Sequence, residues 1–184
     1  MQAIFPRLEE LELKRLANID KLWPDQLQGL SYCQNLTKLT VWKCDHLKYV
    51  FSHSMVNNLV QIQHLEIRSC ESMERIVDNT GLGRDEGKLI ELKVFPKLYS
   101  LQLTGLTQLT SFANMGHFHS HSVVEFPSLL KLEIIDCHIM LRFISTISSE
   151  DNAHTEMQTQ PFFDEKVFFF FKLILFTIFN FSFP

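Results

Sequence analysis

Six apolar positions at offsets 0, 3, 5, 8, 11 and 14 recur five times along this chain of 184 residues. The first row is Leu8, Leu11, Leu13, Leu16, Ile19 and Leu22. The second is Leu36, Leu39, Val41, Cys44, Leu47 and Val50. The third is Ile62, Leu65, Ile67, Cys70, Met73 and Ile76. Leu98, Leu101, Leu103, Leu106, Leu109 and Phe112 form the fourth, and Leu129, Leu132, Ile134, Cys137, Met140 and Phe143 the fifth. All 30 positions are apolar or Cys in a chain that is 46% apolar overall, so chance does not account for the agreement. The spacing matches neither a helix period nor a pure strand period. It describes an internal repeat, and a repeat dictates the architecture before any local propensity does.

Row starts lie 28, 26, 36 and 31 residues apart. The apolar core of each unit is constant while the returning segment varies, which is how a solenoid absorbs insertions in loops outside its stacked strands. The Leu-x-Leu step predicts a short strand in each unit, with Leu39 and Val41 inward and Lys38, Thr40 and Trp42 outward. Every unit runs the same way round, so successive strands are expected to pair in parallel across connections of about a dozen residues or more. The returning segments carry too weak a pattern for full helices. Phe5-Pro6, Phe95-Pro96 and Phe126-Pro127 each precede a row's first Leu by three residues. Pro lacks an N–H and suits the start of a strand rather than its interior, and the Phe before it can pack under the previous turn.

The formal net charge of −4 is mild and argues against polyanion binding. The four Cys include no C-x-x-C pair, so no zinc ribbon or redox motif is visible. The N-terminal MQAIFPRLEELEL lacks the basic-then-apolar pattern of a secretory signal, and a reducing, cytoplasmic location with free thiols is expected. Cys44, Cys70 and Cys137 share a column with Leu16 and Leu106, which marks a buried apolar site rather than a reactive one. Cys33 stands outside that column. The run Gly81 to Lys88 lacks the Gly and the Ser or Thr of a phosphate loop and reads as a charged connection. His117, His119 and His121 alternate and would face one way on a strand. Their only nearby carboxylate is Glu125 and no recognised ligand spacing exists, so no metal, cofactor or enzymatic activity is expected.

Function is expected on the outward strand positions, which stack into three columns about 4.8 Å per step. The first holds Glu10, Lys38, His64, Ser100 and Lys131; the second Glu12, Thr40, Glu66, Gln102 and Glu133; the third Lys14, Trp42, Arg68, Thr104 and Ile135. Trp42 between Lys14 and Arg68 has the composition of an interface anchor, its ring open to a cation on either side.

The rows resemble leucine-rich repeats. The form L-x-x-L-x-L-x-x-C-x-x-L, with phrases such as FPRLEELELKRLANIDKLW, LTKLTVWKCDHLKYVF and VFPKLYSLQLTGLTQLTSF, is similar to plant coiled-coil, nucleotide-binding, leucine-rich-repeat disease resistance proteins over about residues 4–166. The resemblance implies an α/β fold: a right-handed β/α solenoid of about five repeats, starting near residues 5, 33, 59, 95 and 126, with a parallel concave sheet and an irregular convex side. It also implies a protein partner, either a pathogen effector or a guarded host protein. In a full receptor the repeats would also hold the nucleotide-binding domain inactive. No nucleotide-binding segment precedes Met1, so a fragment lacking that switch is expected. A ubiquitin-ligase substrate adaptor or a non-functional gene fragment are the alternatives. Nucleic acid is not an expected partner.

The repeat domain is expected over 1–166. Beyond it, Val167 to Pro184 holds eight Phe in 18 residues and no Phe-Pro start. It reads as a membrane anchor interrupted by Lys172, a degenerate last repeat covering the open end, or translated non-coding sequence. The abrupt stop of the pattern favours the last, and membrane contact is not expected unless this tail anchors.

Overall fold

A computed structural model describes residues 3–23, 31–56, 58–78, 91–93, 95–114, 123–140 and 143–145. The first unit contributes β1 (Ala3–Ile4) and β2 (Glu10–Lys14). The second contributes β3 (Ser31–Tyr32), β4 (Lys38–Trp42) and β5 (Phe51–Ser52), followed by the four-residue helix α1 (His53–Val56). The third holds β6 (His64–Arg68) and β7 (Arg75–Asp78). The fourth holds β8 (Glu91–Lys93), β9 (Ser100–Thr104) and β10 (Ser111–Asn114). The fifth holds β11 (Val123–Glu125), β12 (Lys131–Ile135) and β13 (Ile144–Ser145). The Phe-rich tail and the expected boundary near residue 166 lie outside the described residues.

One strand from each unit joins a five-stranded parallel sheet in the order β12-β9-β6-β4-β2. Its register follows the repeat offsets without a slip, so that Leu11, Leu39, Leu65, Leu101 and Leu132 face one another in turn. A slip of one residue would turn every inward Leu to solvent, and burial of that face therefore specifies the register. Leu39 and Val41 are fully buried, whereas Lys38 is exposed and Thr40 and Trp42 are half-buried.

The residue after each of these strands bends the chain away. Arg15, Lys43, Ser69, Gly105 and Asp136 all have a positive φ, between 51° and 63°. A left-handed conformation costs about 1–2 kcal/mol for a residue with a Cβ, and none of the five is β-branched. The N–H of Arg15 donates to Trp42 O at 2.8 Å, that of Lys43 to Arg68 O at 3.1 Å, that of Ser69 to Thr104 O at 2.9 Å and that of Gly105 to Ile135 O at 2.9 Å. The inter-unit ladder thus continues one residue past the strands, and these hydrogen bonds offset part of the strain.

The parallel sheets fit the expected repeat-like α/β fold, but almost no helix accompanies them among the described residues and the second side is not irregular. The only helix among the described residues is α1. The returns instead supply a second parallel sheet in the order β13-β10-β7-β5, in which Phe51, Val77, Ala113 and Ile144 are successive partners. The physical reason lies in the residues and in length. Ile76 and Val77, like Phe112 and Ala113, are consecutive and buried, a pattern that suits short strands better than a 3.6-residue period. These strands are two to four residues long, far below what a self-sustaining helix needs. Two smaller parallel pairs, β1 with β3 and β8 with β11, complete the strand set among the described residues.

A seventh apolar column lies three residues ahead of each row: Phe5, Cys33, Leu59, Phe95 and Phe126. Each carbonyl accepts the N–H of its row's first apolar residue, as in Leu36 N to Cys33 O at 2.9 Å and Leu98 N to Phe95 O at 2.9 Å. Cys33 therefore has a column after all, and it is buried there. Phe95 packs on Phe51 at 5.0 Å between centroids, and Phe126 on Phe112 at 5.3 Å, so these aromatics do tuck under preceding returns. Rows two to five are buried at all six columns. In row one, on the edge strand β2, Leu8, Leu11, Leu13, Ile19 and Leu22 are only partly buried and Leu16 is 37% exposed, whereas row five, on the opposite edge strand β12, is buried.

Candidate protein-binding face

The outward side of the central sheet is built from the residues that alternate with the buried Leu and Ile. The observed register reproduces the three sequence columns. Glu10, Lys38, His64, Ser100 and Lys131 are successive partners, as are Glu12, Thr40, Glu66, Gln102 and Glu133, and Lys14, Trp42, Arg68, Thr104 and Ile135.

Charges on this face pair along strands. Lys14 Nζ lies 2.7 Å from Glu12 Oε1, Arg68 pairs with Glu66, and Lys131 Nζ lies 3.1 Å from Glu133 Oε2. Each pair joins residues i and i+2, which share a face of the strand. Gln102 Nε2 donates across to Glu133 Oε2 at 3.4 Å. These side chains are substantially exposed, so each pair contributes little to stability and chiefly fixes where charge is presented.

Trp42 departs from the expected arrangement. Lys14 and Arg68 are its register partners, yet their charged groups are turned to Glu12 and Glu66. The cations on the ring are Arg15, with Cζ 5.2 Å from the centroid, and Lys43, with Nζ at 5.4 Å. Both come from the left-handed turn after the strands, which carries their side chains back over the indole. Alternation alone cannot reveal this, because it applies only within the strand. The signal in the sequence was a basic residue directly following the strand in both of the first two units.

At the strand-start edge, Glu10, Lys38, His64, Leu65, Glu66, Ser100 and Gln102 line an open groove of about 380 Å³. The His64 ring sits 5.9 Å from that of Tyr99. Tyr99 is 47% exposed and Leu130 is 42% exposed, and neither was picked out by the column pattern. Leu130 N–H donates to Tyr99 O at 2.9 Å, which places the two side by side. Of the residues expected to bind, Glu10, Lys38, His64, Glu66 and Gln102 gather in the groove. Lys14, Trp42 and Arg68 gather at the strand-end edge, Glu12 and Thr40 lie in the middle column, and Glu133 sits on the far strand.

All four thiols are buried, and Cys44 and Cys70 are neighbours in one column that Leu106 separates from Cys137. Cys44 N–H donates to Cys70 Sγ at 3.4 Å, Cys70 Sγ contacts Arg68 O at 3.4 Å, and Cys137 Sγ contacts Ile135 O at 3.5 Å. Burial pushes the Cys70 and Cys137 thiols up to about 11, and raises Cys33 as well. These three are protonated at neutral pH and are poor nucleophiles. The runs at 81–88 and 117–121 lie outside the described residues. Among the described residues no group of three His, Cys, Asp or Glu could hold a metal ion, and no helix is long and apolar enough to cross a membrane.

Comparison with protein families agrees with this geometry. A family model described as plant disease resistance protein RPS2-like, leucine-rich repeats, matches residues 1–71 and 58–154. Searches of curated proteins and of solved structures return no match. The two matched segments together cover most of the chain, and the chain belongs to the leucine-rich-repeat family of plant RPS2-like disease resistance proteins.

Proposed function

We propose that this chain is a protein-recognition module of plant innate immunity. It senses a pathogen effector or a guarded host protein in the cytoplasm, and within a nucleotide-binding receptor it restrains the switch until that partner arrives. It acts by binding and not by catalysis. The observation that carries the reading is the outward face of the central sheet, where Trp42 sits half-buried among cations at the strand-end edge and charged and polar side chains line a groove at the strand-start edge. Stacked units coil into a right-handed solenoid, the usual hand of parallel crossovers, and its curvature makes this sheet the concave side. Exposed aromatic and Arg side chains on such a surface are the residue types that dominate interface energetics.

The test is affinity capture from plant extract with the full chain and with a Trp42→Ala, Arg68→Ala variant of unchanged melting temperature. Proteins retained by the parent and lost by the variant are partners of this face. An identical captured set would mean that recognition occurs elsewhere.

A further inference from the structure

The strand-end corner of the first two units brings together two exposed cations that form no ion pair among the described residues, whereas Lys38 stands singly at the opposite edge with Glu10 and Glu66 lining the same groove. Lys14 and Arg68 flank Trp42 but are closed by Glu12 and Glu66. Arg15 and Lys43 are exposed, rest over the Trp42 ring, and form no ion pair among the described residues. Their mounting is fixed: each has a left-handed backbone whose N–H is bonded to the next unit, at Trp42 O and Arg68 O. The same turn position holds Ser69, Gly105 and Asp136 in the later units, so charge along this turn runs from positive through neutral to negative.

We propose that the Arg15–Trp42–Lys43 corner docks a carboxylate-bearing segment of a partner protein, with the carboxylates on Arg15 and Lys43 and an apolar side chain against the indole. Charge complementarity names the chemistry, since the corner's own carboxylates are already paired and its two remaining cations are not. It also favours a segment with interspersed acids over a continuous polyanion. Glu12, Glu66 and Asp136 lie on or beside the same edge, and the whole chain carries a net charge of −4. The inference rests on the reading of this face as a protein-binding surface and adds the partner's chemistry and two residues to it.

The experiment uses the full chain with its Trp indole groups isotopically labelled, the Trp42 resonance being assigned by its loss in Trp42→Phe. Two synthetic peptides differ only in carrying Glu or Lys between Leu and Gly residues. The Glu peptide is expected to shift the Trp42 resonance saturably, with affinity falling about tenfold between roughly 0.05 and 0.3 M salt. Arg15→Glu with Lys43→Glu is expected to lose about tenfold or more for the Glu peptide and to gain the Lys peptide. Arg15→Gln with Lys43→Gln, which removes both charges with a polar side chain isosteric with Glu, is expected to weaken the Glu peptide about threefold and serves if the reversed variant misfolds. Equal response to both peptides, or Glu-peptide binding untouched in the neutral variant, overturns the proposal. So does a stronger response to anionic lipid vesicles or duplex DNA than to the Glu peptide. If captured partners depend on Trp42 and Arg68 but are indifferent to Arg15 and Lys43, this inference falls while the protein-binding reading stands.

Discussion

Arg15 is joined to Trp42 twice: its guanidinium carbon lies 5.2 Å from the indole centroid, and its backbone N–H donates to the Trp42 carbonyl at 2.8 Å. The backbone bond persists in any non-proline variant, so the side-chain contact can be isolated. A double-mutant cycle of Arg15→Ala and Trp42→Ala, read by urea denaturation, is expected to give a coupling of about 0.5–1 kcal/mol. A coupling of zero would mean that the cation and the ring are merely adjacent.

Burial differs sharply between equivalent positions of the repeat. Leu101 is fully buried in β9, whereas Leu11, in the same column, is only partly buried in the edge strand β2. Leu101→Ala is expected to cost about 3–4 kcal/mol and Leu11→Ala about 1–2 kcal/mol, because the edge site can relax and was never fully removed from water. Equal losses would show that the first unit is covered as completely as the fourth.

Gly105 has φ +63°, and a Cβ built there would meet Ser69 Oγ at 3.6 Å, an ordinary contact. Space is therefore available and backbone strain alone sets the cost. Gly105→Ala is expected to destabilise by about 1 kcal/mol, Gly105→Asn by less, and Gly105→Val by about 2 kcal/mol or more. Denaturation midpoints in the order Gly, Asn, Ala, Val would confirm it. A Val variant as stable as the parent would exclude a strained turn.

The buried thiols tie stability to alkaline pH. Burial lifts Cys70 and Cys137 from 9.0 to about 11, so between those values the unfolded chain releases protons that the folded chain retains. Stability from this source is fully present below pH 9, falls as pH rises toward 11, and changes no further beyond it. The expected loss is on the order of 5 kcal/mol for the pair at full titration, about half of it by pH 10. Urea midpoints at pH 8 and pH 10 check the slope, and it should flatten in Cys70→Ala with Cys137→Ala. An unchanged slope in that variant would assign the effect to other groups.

Much of the fold was legible because a repeat reports its own architecture. Rows such as Leu36 to Val50 dictated the parallel central sheet, its register, the inward Cys44 and the outward Lys38, Thr40 and Trp42. Each of these follows from alternation and burial, and both leave a period in the residues. The returns were less legible. Phe51, Val77, Ala113 and Ile144 meet across units in a second sheet, but strands of two to four residues are too short to show a period of their own.

The candidate site divides along the same line. By itself the sequence determined which side chains face outward and in what order they stack, since register follows from burying the apolar columns. Only the tertiary structure decided which charges meet. It gave Lys14 to Glu12 and Arg68 to Glu66, and it swung Arg15 and Lys43 onto Trp42 through a left-handed turn. The reason is physical. Apolar burial is set residue by residue and is written into the pattern. The contacts of long charged side chains depend on backbone direction at single turn residues and on competition between neighbours, and neither has a period to read.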